Sequence, residues 1–196
     1  VQVYFVAKFD HSFSDYGIWD GQSLDKKGLS KKSDSLKIYL GFTQESINAK
    51  VGISHISIEN ARLNLETEVG HGNFTEILQM AKDKWESKLA LIKIEGGSLE
   101  DKKVFYSALY RSFQMPTIFN DVNGEYMGFD KKTHQATDFN YYTDLSLWDT
   151  FRTVHPLFNL IAKEEQRDML VSLVEMSKHG GSLPRWPSGY GYSNSM

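Results

Sequence analysis

The stretch SLWDTFRTVHP at 146–156 places Trp148, Asp149 and Arg152 side by side. Together they have the chemistry to hold a sugar. Asp149 would accept hydroxyl protons, Arg152 would donate to ring oxygens, and Trp148 would offer a flat face to C–H bonds. The same spacing has plainer readings. Ser146 and Asp149 stand in the S-x-x-D relation of a capping box, in which Asp149 satisfies the Ser146 N–H. Asp149 and Arg152, three apart, can also pair on a helix surface for about 0.2–0.5 kcal/mol. Spacing alone leaves both readings open. A ligand role needs a concave site at the helix start. Pro156 interrupts the helix ladder soon afterwards, which suits a short or kinked helix beside a pocket.

Other chemistry is thin. Asp121, Asn123, Glu125 and Asp130 loosely resemble a calcium loop, but Gly124 comes too early and the twelfth position is Lys132 instead of Glu. A type I′ turn with acidic flanks is expected there. The six histidines show no H-x-x-x-H spacing, so no zinc site and no metal ligand is expected. His55 reads as a core or edge residue of a strand. There is no G-x-S-x-G elbow, no P-loop and no G-x-G-x-x-G.

Composition narrows the class. The 196 residues are 40% hydrophobic and 24% charged, with a net charge of −3, enough for a sizeable core. The densest group of basic residues, Lys26/Lys27 and Lys31/Lys32, reads as a solvated loop, so nucleic acid is not an expected partner. No apolar run is long enough for a membrane span, and no signal peptide is visible. Without cysteine there are no disulfides, and the compartment stays open. Aromatic residues, at 13%, serve cores or flat ligand faces.

The elements that must position these residues change character along the chain. Residues 1–9 alternate, with Val1, Val3, Phe5, Ala7 and Phe9 on one face. Residues 35–42 repeat this with Leu36, Ile38, Leu40 and Phe42, and 47–58 supply more strand around a 20–35 loop. From Asn73, an expected N-cap, the period becomes helical through Trp85. A short strand is expected in ALIKIEGG. Ser98 and Asp101 then form a capping box for a helix that buries Val104, Phe105, Ala108, Leu109 and Phe113 and ends at Pro116. A long loop is expected over 117–140, helices over 147–162 and 164–178, and an irregular end in SLPRWPSGYGYSNSM. Strands first and helices second predict an α+β or multidomain chain.

Three blocks carry a resemblance: FYSALYRSFQMPTIFNDVNGEYMGFD, YTDLSLWDTFRTVHPLFNLI and GGSLPRWP. They are similar to glycoside hydrolase family 92, calcium-dependent inverting α-mannosidases. VGISHISIENARLNLETE and YFVAKFDHSFSDYGIWD resemble its N-terminal domain. The resemblance implies part of an antiparallel β-sandwich at 1–72, a helical linker and short strand at 73–97, and the first helices of an (α/α)6 toroid at 98–196. It implies a fragment of a hydrolase that removes terminal mannose from mannose-containing glycans. It also implies a secreted, periplasmic or cell-surface home. Substrate binding would fall to Trp148, Asp149, Arg152 and Trp186. The cofactor would be calcium (Ca2+), held mostly by residues outside this chain, and the catalytic bases would lie beyond Met196.

One departure stands out. Many members carry a Glu a few residues after the Trp of LPRW as the proton donor. Here the acid's place falls near Tyr192, and no carboxylate follows Trp186. Phenols ordinarily titrate near 10 and protonate a sugar alkoxide poorly. Either the acid comes from elsewhere, or the register differs, or the leaving group needs no proton, as in a mannosyl phosphodiester. A non-catalytic carbohydrate-binding or structural module is the rival reading.

Overall fold

The computed structural model describes residues 2–21 and 23–193. They form a mixed α/β chain with small antiparallel sheets and six helices. Two compact units share them: residues 7–51, and the rest. The paired strands β1 (Tyr4–Phe9) and β5 (Ala49–Ser54) each begin in one unit and end in the other.

The smaller unit is built on β2 (Asp15–Asp20), β3 (Ser23–Lys26) and β4 (Leu36–Gly41), antiparallel in the order β3-β2-β4. β3 occupies part of the loop expected over 20–35. Asp10 closes the unit near its ends: Asn48 donates its backbone N–H (3.0 Å) and its side-chain amide (2.7 Å) to the carboxylate. These bonds, the Asn48 side chain first, hold the Asp10 carboxyl down at about 2, from an ordinary 3.8. A depressed carboxyl stabilises the folded form above its unfolded value and loses that effect as pH falls through its folded value. The Asn48 amide signals are therefore expected to titrate with a midpoint near 2 in an NMR pH series. A midpoint near the ordinary value would contradict the bonding.

In the larger unit the strand expected over 47–58 stops at Ser54. Ser57 instead caps α1 (Ile58–Glu68), accepting the Asn60 N–H at 3.0 Å. Gly52 lets β5 approach α1, since a Cβ there would sit 2.3 Å from the Ala61 carbonyl oxygen. Ala61 and Leu65 pack on Val6. At the start of β1 the face is the reverse of the expected one, with Val6 buried and Phe5 62% exposed, and past Val6 the alternation is lost, since Ala7 and Lys8 are both exposed.

α2 (Phe74–Leu89) and α3 (Leu99–Ser112) both start with capping boxes, Asn73 with Glu76 and Ser98 with Asp101. Trp85 packs on Tyr110 at 4.3 Å between ring centroids. Of the stripe expected along α3, only Leu109 is buried, and Val104 is 64% exposed. No strand forms over the expected 90–97, which is irregular after a turn at 90–91.

The expected loop 117–140 contains three short strands, β6 (Thr117–Ile118), β7 (Glu125–Met127) and β8 (Thr133–Gln135). β6 pairs with β9 (Tyr142–Thr143), and β7 with β8. Here sits the main core: Tyr126 stacked on Tyr141 (3.8 Å), with Leu145, Phe158, Met169 and Met176. Burial pushes the Tyr126 hydroxyl up to about 12, so it stays neutral.

The helix expected over 147–162 is two helices, α4 (Leu147–Thr150) and α5 (Val154–Ile161). Pro156 is the third residue of α5, where a missing N–H costs no intrahelical bond. It helps to start a second helix and does not kink a first. α6 (Lys163–Gly180) ends on Gly181 at φ +82°. Its buried Asp168 and Ser172 receive the backbone N–H groups of Asn140 and Tyr142, both at 2.9 Å. Among the described residues no helix is long and apolar enough to cross a membrane.

Candidate functional site

The chain after α6, expected to be irregular, forms a small hairpin of β10 (Pro187–Ser188) and β11 (Gly191–Tyr192). Its placement follows from two bonds. Thr143 Oγ1 donates to the Gly189 carbonyl (2.7 Å), and Ser188 Oγ donates to Asp144 (2.9 Å). These fasten the hairpin to the turn that leads into α4.

Together α4 and the segment before β10 enclose an open cavity of about 620 Å3. Leu147, Trp148 and Phe151 form one side, and Leu183, Pro184, Arg185 and Trp186 the other. Trp148 is 75% exposed, an indole held out from a four-residue helix with no buried residue. Exposing so large an apolar side chain beside a second Trp is unfavourable unless a ligand or another segment covers it. The structure thus brings Trp148 and Trp186 to one cavity.

Asp149 and Arg152 sit differently. Neither lines that cavity. The Asp149 carboxylate accepts the Ser146 hydroxyl, and α4 has no side-chain cap bond. The capping-box reading, with Asp149 on the Ser146 N–H, is therefore not what forms. Nor does Asp149 pair with Arg152, whose guanidinium lies 5.0 Å from the Phe151 ring centre. Asp149 is left exposed, already receiving a hydroxyl group. Arg185 is the cavity residue that sequence reasoning missed, although it lies in the LPRW block that yielded Trp186.

Tyr192 borders a second cavity of about 560 Å3 with Gln2, Tyr4, His55, Lys131 and Tyr190, and among the described residues no carboxylate lines it. The Tyr192 hydroxyl donates to the Ser182 carbonyl (2.8 Å), and its ring meets Phe129 edge-on. Its proton is committed to the fold. A larger hollow of about 910 Å3 is bordered by none of the sequence-predicted site residues. At its wall Lys88 and Glu165 are already paired.

The acidic loop does not fit calcium. Asp121 is 6% exposed, and its carboxylate receives Ser54 Oγ (2.6 Å), Asn60 Nδ2 (2.8 Å) and Asn64 Nδ2 (2.7 Å). Glu125 receives Asn60 Nδ2 (2.7 Å) and Asn123 Nδ2 (3.0 Å). Calcium takes oxygen donors, and these carboxylates are already engaged by N–H and O–H groups of the chain. The loop ties α1 to β7.

The histidines do come together in space. His134 and His179 stack at 3.7 Å with 14° between their planes, and Asp130 bonds His134 Nε2 at 2.9 Å. The missing H-x-x-x-H spacing did not exclude this, because β8 and α6 supply one ring each. The His134 bond lowers the Asp130 carboxyl, and burial, with His134 beside it, lowers the His179 imidazole.

A sequence model of the Glycosyl hydrolase family 92 catalytic domain matches residues 60–196, well over half of the chain. The chain belongs to that family. No curated protein gives a significant match. Solved structures do. The family GH92 inverting mannosidase BT2199 from Bacteroides thetaiotaomicron VPI-5482 is 30% identical, with a TM-score of 0.91, over 99% of this chain and 27% of its own. The family GH92 alpha-mannosidase BT3965 from Bacteroides thetaiotaomicron is 27% identical, with a TM-score of 0.87, over 99% and 28%. That enzyme is also solved in complex with mannoimidazole. This GH92 chain therefore spans little more than a quarter of the solved chains it matches.

Proposed function

We propose that the intact protein is an exo-α-mannosidase-like glycosidase that hydrolyses terminal mannose with inversion, and that the cavity between Trp148 and Trp186 receives a mannosyl unit. The observation that carries this is the convergence of these two indoles, from separate segments of a GH92 chain, on one open cavity. Their faces would cover sugar C–H bonds. Asp149, beside Trp148 on the exposed face of α4, would exchange its Ser146 hydroxyl for sugar hydroxyls, and Arg185 would donate from the opposite wall.

In this reading the larger unit holds the first helices of an (α/α)6 toroid and the preceding strands end a β-sandwich. The 99% coverage by GH92 enzymes supports it. Calcium belongs to the reading only through residues outside this chain, and no step here runs through it. A secreted, periplasmic or cell-surface location belongs to the same proposal.

Inversion needs a separate acid and base about 6.5–9.5 Å apart. Tyr192 is poorly placed for the acid's part, because its hydroxyl already donates to the Ser182 carbonyl. In the first reading the acid comes from the part of the protein outside this chain; in a second, the natural leaving group is a phosphate that departs without protonation. The test is turnover of the intact protein on three α-mannosides: a nitrophenyl glycoside, a mannobiose and a mannosyl phosphodiester. Hydrolysis of the nitrophenyl glycoside, releasing β-mannose first by NMR, is expected. Losing acid catalysis costs about 10²–10⁴-fold on a poor leaving group. A mannobiose rate lower by that factor, with rapid phosphodiester hydrolysis, selects the second reading. Binding without turnover of any of the three overturns both and leaves a binding module.

A further inference from the structure

We infer that Asp130, His134 and His179 form a binding site for a divalent transition-metal ion of the zinc type. One donor atom from each lies within 4.8 Å of the other two. Two imidazoles and one carboxylate suit zinc and its neighbours, not calcium, and three protein ligands leave a fourth position open.

Three observations point beyond chance proximity. First, His179 makes no hydrogen bond that would explain its place: Nδ1 is buried without a partner, and Nε2 lies 3.7 Å from Glu175. A buried ring nitrogen with a bare lone pair is costly, and a cation relieves that cost. Second, the backbone makes room. A Cβ on Gly128 would meet His134 Cδ2 at 2.5 Å and Asp130 Oδ1 at 2.8 Å, so the turn closes on the donors only because residue 128 has no side chain. Third, neighbouring groups hold the donors near one another. The Asp130 carboxylate also accepts the Lys132 N–H (3.1 Å), and the buried Tyr126 ring flanks both imidazoles at 5.8 and 6.2 Å. Glu175, which also holds Lys178 at 2.6 Å, stands beside His179 to orient it.

Ring lone pairs lie in the ring planes, so the two parallel imidazoles must turn until they converge. A zinc ion about 2.0–2.2 Å from each donor then draws the donors together at the loss of the stack. Binding requires neutral imidazoles, so affinity falls as pH drops and the rings take up protons.

The test titrates Zn2+ into the metal-free, full-length protein by calorimetry, beside His179→Gln and His134→Gln. Removing one ligand should weaken binding at this site by at least about tenfold, as even outer-shell losses do. A difference under tenfold in both variants, or no binding by the wild type at micromolar zinc, overturns the site. Should the variants fail to fold, Co2+ absorption of the wild type decides it. Intense visible bands displaced by one equivalent of Zn2+ support the site, and a spectrum like aqueous Co2+ overturns it.

Discussion

Asp121→Ala is expected to destabilise the larger unit by about 3–5 kcal/mol, somewhat less than three hydrogen bonds to a charged group at about 1.5–3 kcal/mol each. The carboxylate is the common acceptor for Ser54 of β5 and for Asn60 and Asn64 of α1. Its removal strands three donors from two elements that water reaches poorly. Each unmet buried group costs about 1–3 kcal/mol. Asn60 retains Glu125, Asn64 retains the Ile53 carbonyl, and Ser54 Oγ still accepts the Ile56 N–H, so the total falls short of three full penalties. Asp121→Asn should recover only part of the loss. Its amide turns a donor toward donors. Urea unfolding of the wild type and both variants checks this, and a change below about 1 kcal/mol in Asp121→Ala would show that water or neighbours replace the carboxylate.

That network also shows where reading a sequence reaches its limit. Asp121, Asn123 and Glu125 stood out as oxygen-rich, which was correct. Their partners Asn60 and Asn64 lie on a helix that the apolar pattern hid. Along α1 the buried positions include two asparagines, so the helical period is written partly in polar residues. The N-cap at Asn73 and the capping box at Ser98 were legible because they depend on local spacing, although the Glu76 half of the Asn73 box was not read. The strands inside 117–140 were not, since two or three residues are too few to display a period of two. The wrong face in β1 has another cause: alternation gives the period but does not say which side meets α1. Val104 and Ala108, expected to be buried, show that a helical stripe in part of a longer protein need not find its partner within that part.

The site was legible in outline. The two tryptophans were named from blocks far apart in the chain, and they border one cavity. Their convergence depends on Thr143 and Ser188, which carry no motif. The His134–His179 pair was invisible for the same reason. Spacing rules find ligands on one element, whereas these come from a hairpin and a distant helix.

The central claim is that the exposed end of α4 beside the Trp148–Trp186 cavity holds the sugar. It is tested most directly by kcat/KM of Asp149→Asn in the intact protein, with the melting temperature measured beside it. The substitution preserves shape but removes the charge and turns one acceptor oxygen into a donor. Stability should change by no more than about 0.5 kcal/mol, because Asp149 is exposed and caps no backbone group. Charge-assisted bonds to sugar hydroxyls are about twice as strong as neutral ones. Their loss should cost about 2–4 kcal/mol of transition-state binding, or roughly 30- to 1,000-fold in kcat/KM on an aryl α-mannoside. An unchanged melting temperature with that loss is the expected result. An unchanged melting temperature with near-normal kcat/KM would contradict the claim and leave Asp149 as no more than the partner of Ser146.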